Sequence, residues 1–241
     1  MSNDIITISR ETTKRLLKDV KELIKNPLDN DGIYYKHDDE HILNGYVYIS
    51  GPSESKYVGG AYFFKFTFPY DYPHKPPLVE FKTNDGITRF HPNMYKTGKM
   101  CLSLLNTWKG DQWTGCQSIR TILLTIISIM DNYPLLHEPG FTLRHKEVEL
   151  YNEIILYKNI DFCVIDILNN NSPIVKSMSH YTDLFKEEIM NEFKKKKDEI
   201  FSILEENKNK ENKTIKTGIY NLNCVINWNN LLDKFNLIKL I

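Results

Sequence analysis

A run of alternating aromatic and polar residues limits the kind of fold that this chain can adopt. Phe64, Phe66 and Phe68 alternate with Lys65 and Thr67. A period of two places the three rings on one face of a β-strand. Three large rings on one face need a core to cover them, so we interpret this stripe as core and not as a ligand site.

Periodicity elsewhere predicts helices before and after a small sheet. The predicted elements, in chain order, are a helix at 9–25, strands at 45–50, 62–68 and 78–82, a loop at 84–114, and helices at 118–130, 145–168 and 183–206. Helix 118–130 is apolar on nearly every side, which predicts that it is buried. Helix, antiparallel strands, long loop and helices together describe an α+β fold.

The composition of the chain changes after residue 170. We predict a core domain at 1–170 and a mostly helical C-terminal extension at 171–241. The tract 206–217 is rich in Lys, Asn and Glu, so we expect a mobile polar linker there. Apolar residues return from Tyr220 onward, which predicts that the end of the chain packs back onto the protein.

Charge and hydropathy indicate the classes of partner to expect. Lysine plus arginine equal aspartate plus glutamate at 31 each, so no overall field points to nucleic acid or to a membrane surface. No segment is long and apolar enough for a bilayer span, and we expect a cytoplasmic protein, with the nucleus also open to it. The lysine run 194–197 is interpreted as a solvated helix face, with a nuclear signal as the alternative.

Four cysteines lie far apart in the sequence: Cys101, Cys116, Cys163 and Cys224. A chain this long with so few cysteines does not predict a disulfide framework, and the spacing does not predict a metal site. For a cysteine taken alone, a small buried hydrophobic residue is the usual role.

The loop 84–114 holds the candidate site. His91-Pro92-Asn93 is followed eight positions later by Cys101. Three functions are compatible with these residues: a hydrolase with His91 as base, an acyl carrier in which Asn93 stabilises the oxyanion of a thioester on Cys101, or a binding surface with an inert thiol. Pro92 restricts the backbone of His91, so His91 alternatively fixes the turn that aims Asn93, and Asn93 itself can be a turn residue.

Motifs across roughly residues 9–168 resemble the ubiquitin-conjugating enzyme family. They are Phe68-Pro69-x-Asp71-Tyr72-Pro73-x-x-Pro76-Pro77, His91-Pro92-Asn93, Gly98-x-x-Cys101-Leu102 and Trp113. Four extra residues between the cysteine and the tryptophan, together with Glu138-Pro139-Gly140-Phe141, resemble the branch that contains the BRUCE (apollon) and Z-type enzymes.

The resemblance implies a fold, a reaction and a set of partners. The expected fold is a four-stranded antiparallel sheet with an N-terminal helix, a central buried helix and C-terminal helices. Cys101 would take ubiquitin or a ubiquitin-like protein from an activating enzyme as a thioester, and Asn93 would support its transfer to a substrate lysine. ATP would be used by the activating enzyme, so no cofactor is expected here. Lys14, Arg15 and Lys18 stand where the family binds its activating enzyme.

Two regions depart from the family pattern. The position that often gates the incoming lysine is filled here by His137 or Glu138, and the sequence leaves both alternatives open. On the ligase-facing loops, His74, Gly115 and Cys116 replace residues that are usually apolar or alanine. Loss of an apolar anchor weakens an interface, so we expect a non-standard ligase or a self-sufficient enzyme.

Two rival functions remain open at this stage. A catalytically silent module that binds ubiquitin is the first, and the presence of Cys101 argues against it. A cysteine hydrolase is the second; Pro92 constrains His91, and the sequence indicates no third orienting group. His91 is histidine where the branch often has asparagine, which favours a competent site.

Overall fold

Four antiparallel strands form the central sheet of the computed structural model, which describes residues 8–170 and 172–238. The strands are β1 (Ile33–His37), β2 (Asn44–Ser50), β3 (Ala61–Thr67) and β4 (Leu78–Phe81), and they pair in that order. Strand β1 was not predicted because it is a short edge strand in which only its first residue is buried. The helices and strands described below complete the expected α+β fold, which is thereby confirmed.

Both faces of the sheet are buried. On one face, Val47 of β2 lies opposite Phe64 of β3, within the predicted aromatic stripe. On the other face, Tyr48 lies opposite Phe63, and both are fully buried. An antiparallel sheet often has one solvated face, and here the C-terminal extension covers the second face.

The two helices predicted around the sheet are confirmed. Helix α1 (Arg10–Lys25) begins at Ser9, whose side chain accepts a hydrogen bond from the backbone N–H of Thr12 at 2.9 Å. Helix α2 (Ile119–Ser128) begins with a reciprocal capping box between Ser118 and Thr121. Only one face of this helix is buried, through Ile122, Leu123 and Ile126, whereas Leu124 on the other face is 39% exposed, so the helix is less buried than predicted.

The long helix after the sheet contains a wide turn. Helix α3 (Glu147–Lys158) continues through a π-helical segment (Asn159–Asp166) into α4 (Ile167–Asn169). At the start of the wide turn, Asn159 donates to the carbonyl of Val58 at 2.9 Å and accepts from the hydroxyl of Tyr62 at 2.6 Å. Such turns often mark special contacts, and here one joins the helix to the sheet.

The C-terminal extension contains helices and a hairpin. Its elements are α5 (Pro173–Lys176), α6 (Ser179–Leu184), α7 (Lys186–Asn207), β5 (Lys213–Lys216), β6 (Asn223–Ile226) and α8 (Trp228–Asn236). The tract 206–217 was interpreted as a mobile linker, and that interpretation is wrong over β5. There Ile215 is buried and pairs with Cys224 across the hairpin, so one apolar residue among polar ones was enough to set a strand.

The end of the chain packs back, as predicted, because Trp228 and Leu231 of α8 are buried. Buried residues before and after residue 171 form one hydrophobic cluster. The division at 170/171 stays a prediction from composition, and Asn171 lies outside the described residues. In the described ranges, none of the helices combines the length and the apolar character needed to cross a membrane.

Candidate active site

The loop 84–114 is fixed to the core at several points although it contains little regular structure. The hydroxyl of Tyr57 donates to the carbonyl of Phe90 at 2.8 Å, and the N–H of Phe81 donates to the carbonyl of Gly98 at 2.7 Å. A loop held by backbone contacts of this kind can place side chains with the precision that a reactive site needs.

Asn93 and Cys101 are joined by two hydrogen bonds. The N–H of Cys101 donates to the carbonyl of Asn93 at 2.9 Å. The side-chain amide of Asn93 donates to the carbonyl of Cys101. The eight-residue spacing noted in the sequence therefore closes a loop that places the amide beside the backbone of the cysteine. All four cysteines are free, and the residue Cys101 is only 2% exposed.

His91 lies beneath this pair and is fully buried. Its Nδ1 accepts a hydrogen bond from the backbone N–H of Asn93 at 3.0 Å. Burial, aided by the neighbouring His137, lowers the pKa of His91 to about 3. A neutral imidazole that already accepts the Asn93 N–H is poorly suited to take a proton from Cys101. The geometry therefore supports a turn-fixing role and disfavours the hydrolase hypothesis.

His137 lies on the other side of His91, with 5.0 Å between the ring centroids. Its Nε2 is 2.9 Å from a carboxylate oxygen of Asp131. Burial would raise the pKa of Asp131, but the hydrogen bonds from His137 and from the backbone of Tyr133 outweigh it and lower the pKa. Asp131 is thus ionised and orients the imidazole of His137.

Glu138, the alternative to His137, makes a different contact. Its carboxylate accepts a hydrogen bond from the hydroxyl of Tyr220, a residue of the C-terminal extension. The guanidinium of Arg89 lies over the same tyrosine and also donates to the carbonyl of Pro92. Sequence reasoning missed Tyr220 and Arg89. Arg89 lies two residues before His91, so its nearness to the motif could have marked it as a candidate. Tyr220 is distant in the sequence, and only the fold brings it to this site.

The basic residues of α1 have two different environments. Lys14 and Lys18 are exposed. Arg15 is used inside the chain: its Nε is 2.9 Å from the buried carboxylate of Asp19, and its Nη1 donates to the carbonyl of Gly115 at 2.5 Å. The guanidinium of Arg15 thus ties α1 to the loop after Trp113, and its contact with an activating enzyme stays a prediction.

The two loops that depart from the family pattern lie side by side. The indole N–H of Trp113 donates to the carbonyl of Pro73 at 2.7 Å, which joins them. His74 is exposed and lies 3.5 Å from Glu11 of α1, and Gly115 and Cys116 are exposed in the neighbouring loop.

Residues 15–154 match the family model described as "Ubiquitin-conjugating enzyme". The chain belongs to the ubiquitin-conjugating enzyme family. The resemblance inferred from the motifs is confirmed, and the assignment of Cys101 as the reactive cysteine stays a prediction.

The relatives that match this family member include the branch predicted from the motifs. Human "Ubiquitin-conjugating enzyme E2 Z" is 35% identical over 71% of this chain and 51% of that protein. Human "Dual E2 ubiquitin-conjugating enzyme/E3 ubiquitin-protein ligase BIRC6" is 31% identical over 74% of this chain and 4% of that protein. The solved structure of human ubiquitin-conjugating enzyme E2 G1 is 31% identical and covers 52% of this chain and 98% of that chain, with a TM-score of 0.45. This chain thus spans about half the length of the human E2 Z protein.

Proposed function

We propose that this chain accepts ubiquitin or a ubiquitin-like protein as a thioester on Cys101 and transfers it to a lysine amine. The observation that carries the proposal is the double hydrogen bond between Asn93 and Cys101, fixed from below by His91. It places an amide donor beside the sulfur-bearing residue. Membership of the ubiquitin-conjugating enzyme family supports the same reaction.

Charging exchanges one thioester for another. The thiolate of Cys101 attacks the carbonyl carbon that joins the modifier to a cysteine of the activating enzyme. A new C–S bond forms to Cys101, the old C–S bond breaks, and the cysteine of the activating enzyme leaves as a thiolate, which takes up the proton that the Cys101 thiol gave up. Because the bond formed resembles the bond broken, the step needs no cofactor on this chain. ATP is consumed earlier, by the activating enzyme.

Transfer converts the thioester into an amide. The nitrogen of a lysine attacks the same carbonyl carbon and a C–N bond forms. The C–S bond then breaks and releases Cys101. The extra proton on the lysine nitrogen passes to an acceptor. Negative charge develops on the carbonyl oxygen. An amide nitrogen has two protons, and the bond to the Cys101 carbonyl uses one of them. We assign the stabilisation of the oxyanion to Asn93.

His137 suits the acceptor of the lysine proton better than Glu138 does. If Nε2–H of His137 donates to the ionised Asp131, the Nδ1 lone pair is left to accept a proton. The carboxylate of Glu138 is instead engaged by Tyr220. We therefore assign the lysine-facing role to His137.

The exposed surface suggests how partners bind. Of the three basic residues assigned to the activating enzyme, Lys14 and Lys18 are exposed and can reach it. His74 stands where an apolar anchor for a ligase is usual, and Gly115 and Cys116 stand where proline and alanine are usual, so a ligase that depends on these residues should bind weakly. One relative is described as both a conjugating enzyme and a ligase. We propose a non-standard ligase, or transfer without a separate one.

The test separates charging from discharge in the variant Asn93→Ala. It should charge at the normal rate, and its preformed thioester should discharge onto free lysine about a hundredfold more slowly, because the oxyanion loses a donor. Asn84→Ala is the matched control: Asn84 is in the same loop, and its amide likewise donates to a backbone carbonyl, that of Lys96. The control should discharge normally. Equal discharge rates of the wild type and Asn93→Ala would show that Asn93 does not stabilise the oxyanion.

A further inference from the structure

A loop of the C-terminal extension reaches the candidate active site. The segment 217–222 connects β5 to β6, and the N–H of Thr217 donates to the carbonyl of Leu222 at 3.0 Å. The N–H groups of Gly218 and Ile219 donate to the carboxylate of Glu147, at 2.8 and 2.9 Å. These bonds, that of Ile219 first, lower the pKa of Glu147. The loop is therefore anchored to the first residue of α3.

Tyr220, within this loop, contacts both sides of the candidate site. Its ring centroid lies 4.2 Å from the guanidinium carbon of Arg89, and the ring of Tyr95 lies 3.7 Å from the same carbon. Its hydroxyl donates to Glu138. Burial, and then the bond to Glu138, raise the pKa of Tyr220, so the hydroxyl stays a donor.

These two contacts lead directly to the residues of the proposed reaction. Arg89 donates to the carbonyl of Pro92, which precedes Asn93. Glu138 follows His137 in the chain. Tyr220 thus joins the element that carries the proposed oxyanion donor to the element that carries the proposed proton acceptor.

The backbone conformation of Tyr220 shows that these contacts hold it in place. Its φ is 57°, and that of the next residue, Asn221, is 50°. A residue with a Cβ in this region costs about 1 kcal/mol or more. Such a conformation persists only where the surroundings fix it, and here a cation–π contact and a hydrogen bond to a carboxylate do so.

We propose that Tyr220 is a positioning residue for the transfer step, through which the C-terminal extension sets the distance between Asn93 and His137. The proposal rests on the transfer reaction proposed above. Transfer depends on the placement of reacting groups to within a fraction of an ångström. Charging needs only the sulfur of Cys101 to reach the carbonyl. Tyr220 should therefore affect transfer and leave charging unchanged.

A second bond between extension and core supplies a matched control. The hydroxyl of Tyr34 donates to the buried carboxylate of Glu192 in α7 at 2.9 Å. It is also a tyrosine–carboxylate bond, but it lies on the sheet face that the extension covers. Tyr34→Phe and Tyr220→Phe each remove one hydroxyl and keep the ring, so both variants are expected to fold.

The experiment measures the discharge of preformed ubiquitin thioester as a function of free lysine concentration. Tyr220→Phe should lower the maximal discharge rate about tenfold, the effect expected for one lost hydrogen bond to a charged group. Its half-saturating lysine concentration and charging rate should not change. Tyr34→Phe should lower thermal stability to a similar degree and discharge like the wild type. Equal discharge by the two variants would overturn the proposal.

Amide hydrogen exchange tests the positioning role of Tyr220 without the reaction. It therefore gives a result even if the wild type forms no thioester. In Tyr220→Phe, exchange in segments 89–94 and 136–141 should quicken about fivefold relative to the wild type. In Tyr34→Phe the same segments should exchange at the wild-type rate. If Tyr220→Phe leaves both segments unchanged, Tyr220 does not position them.

Discussion

At the scale of single residues, an uncharged histidine supports the reactive loop. His91 accepts the N–H of Asn93, and Asn93 in turn exchanges two hydrogen bonds with Cys101. A protonated imidazole could not accept that bond. The geometry around the cysteine therefore depends on a histidine that stays neutral, which burial ensures.

This dependence predicts how stability changes with pH. The pKa of His91 is about 3 in the folded protein and about 6.5 in an unfolded chain. Between these values the unfolded state binds more protons. The contribution of His91 to the free energy of unfolding is therefore complete above pH 6.5. It is lost as the pH falls toward 3, at up to about 1.4 kcal/mol per pH unit.

Denaturant unfolding at pH 7, 6 and 5 checks this in the wild type and in His91→Asn, whose side-chain oxygen can still accept the Asn93 N–H. The free energy of unfolding should fall less steeply in the variant. Burial also lowers the pKa of His37, but His37 is present in both proteins, so its effect on the two slopes is the same. Parallel slopes would show that His91 is not held neutral.

At the scale of elements, α1 is joined to the loop after Trp113 through Arg15. Its guanidinium pairs with Asp19, a residue only 5% exposed, whose other oxygen accepts from the hydroxyl of Tyr72 at 2.5 Å. It also donates to the carbonyls of Gly115 and Gln117. This side chain therefore ties α1 to the loop after Trp113.

Removal of that side chain should be costly. Arg15→Ala leaves a buried carboxylate without its cation and should lower the free energy of unfolding by about 3 kcal/mol. Lys18→Ala, an exposed change one helical turn away, should shift it by about 0.5 kcal/mol or less. Chemical denaturation of both variants checks this. Unchanged stability together with slow charging of Arg15→Ala would contradict this structural role and would support a contact of Arg15 with the activating enzyme.

Elements with strong periodicity were predictable, and those set by distant contacts were not. The Phe64 stripe and α2 carry their period in the sequence. Strand β5 does not, because it has one buried residue and is made by pairing with β6. At the site, the motif alone pointed to Asn93 and Cys101. Tyr220 could not be found in this way, since it lies 82 residues from Glu138 and the fold alone makes them neighbours.

At the scale of the whole molecule, the C-terminal extension completes the core. On one side, Phe185 stacks against Phe63 and lies 6.0 Å from Tyr48, covering the second face of the sheet. On another, the loop with Tyr220 reaches the candidate active site. The extension therefore serves both the stability of the ubiquitin-conjugating domain and, in our proposal, its transfer step.

The central claim is that Cys101 carries the modifier, and the intact mass of the charged protein tests it most directly. The full chain is incubated with ubiquitin, ATP and an activating enzyme, with each available activating enzyme in turn, and its mass is measured without reductant. The account predicts a gain of one modifier minus one water, reversed by thiol. It also predicts the gain in Cys116→Ser, no gain in Cys101→Ala and a thiol-resistant ester in Cys101→Ser. No adduct with any activating enzyme, or an adduct that survives Cys101→Ala, would contradict it.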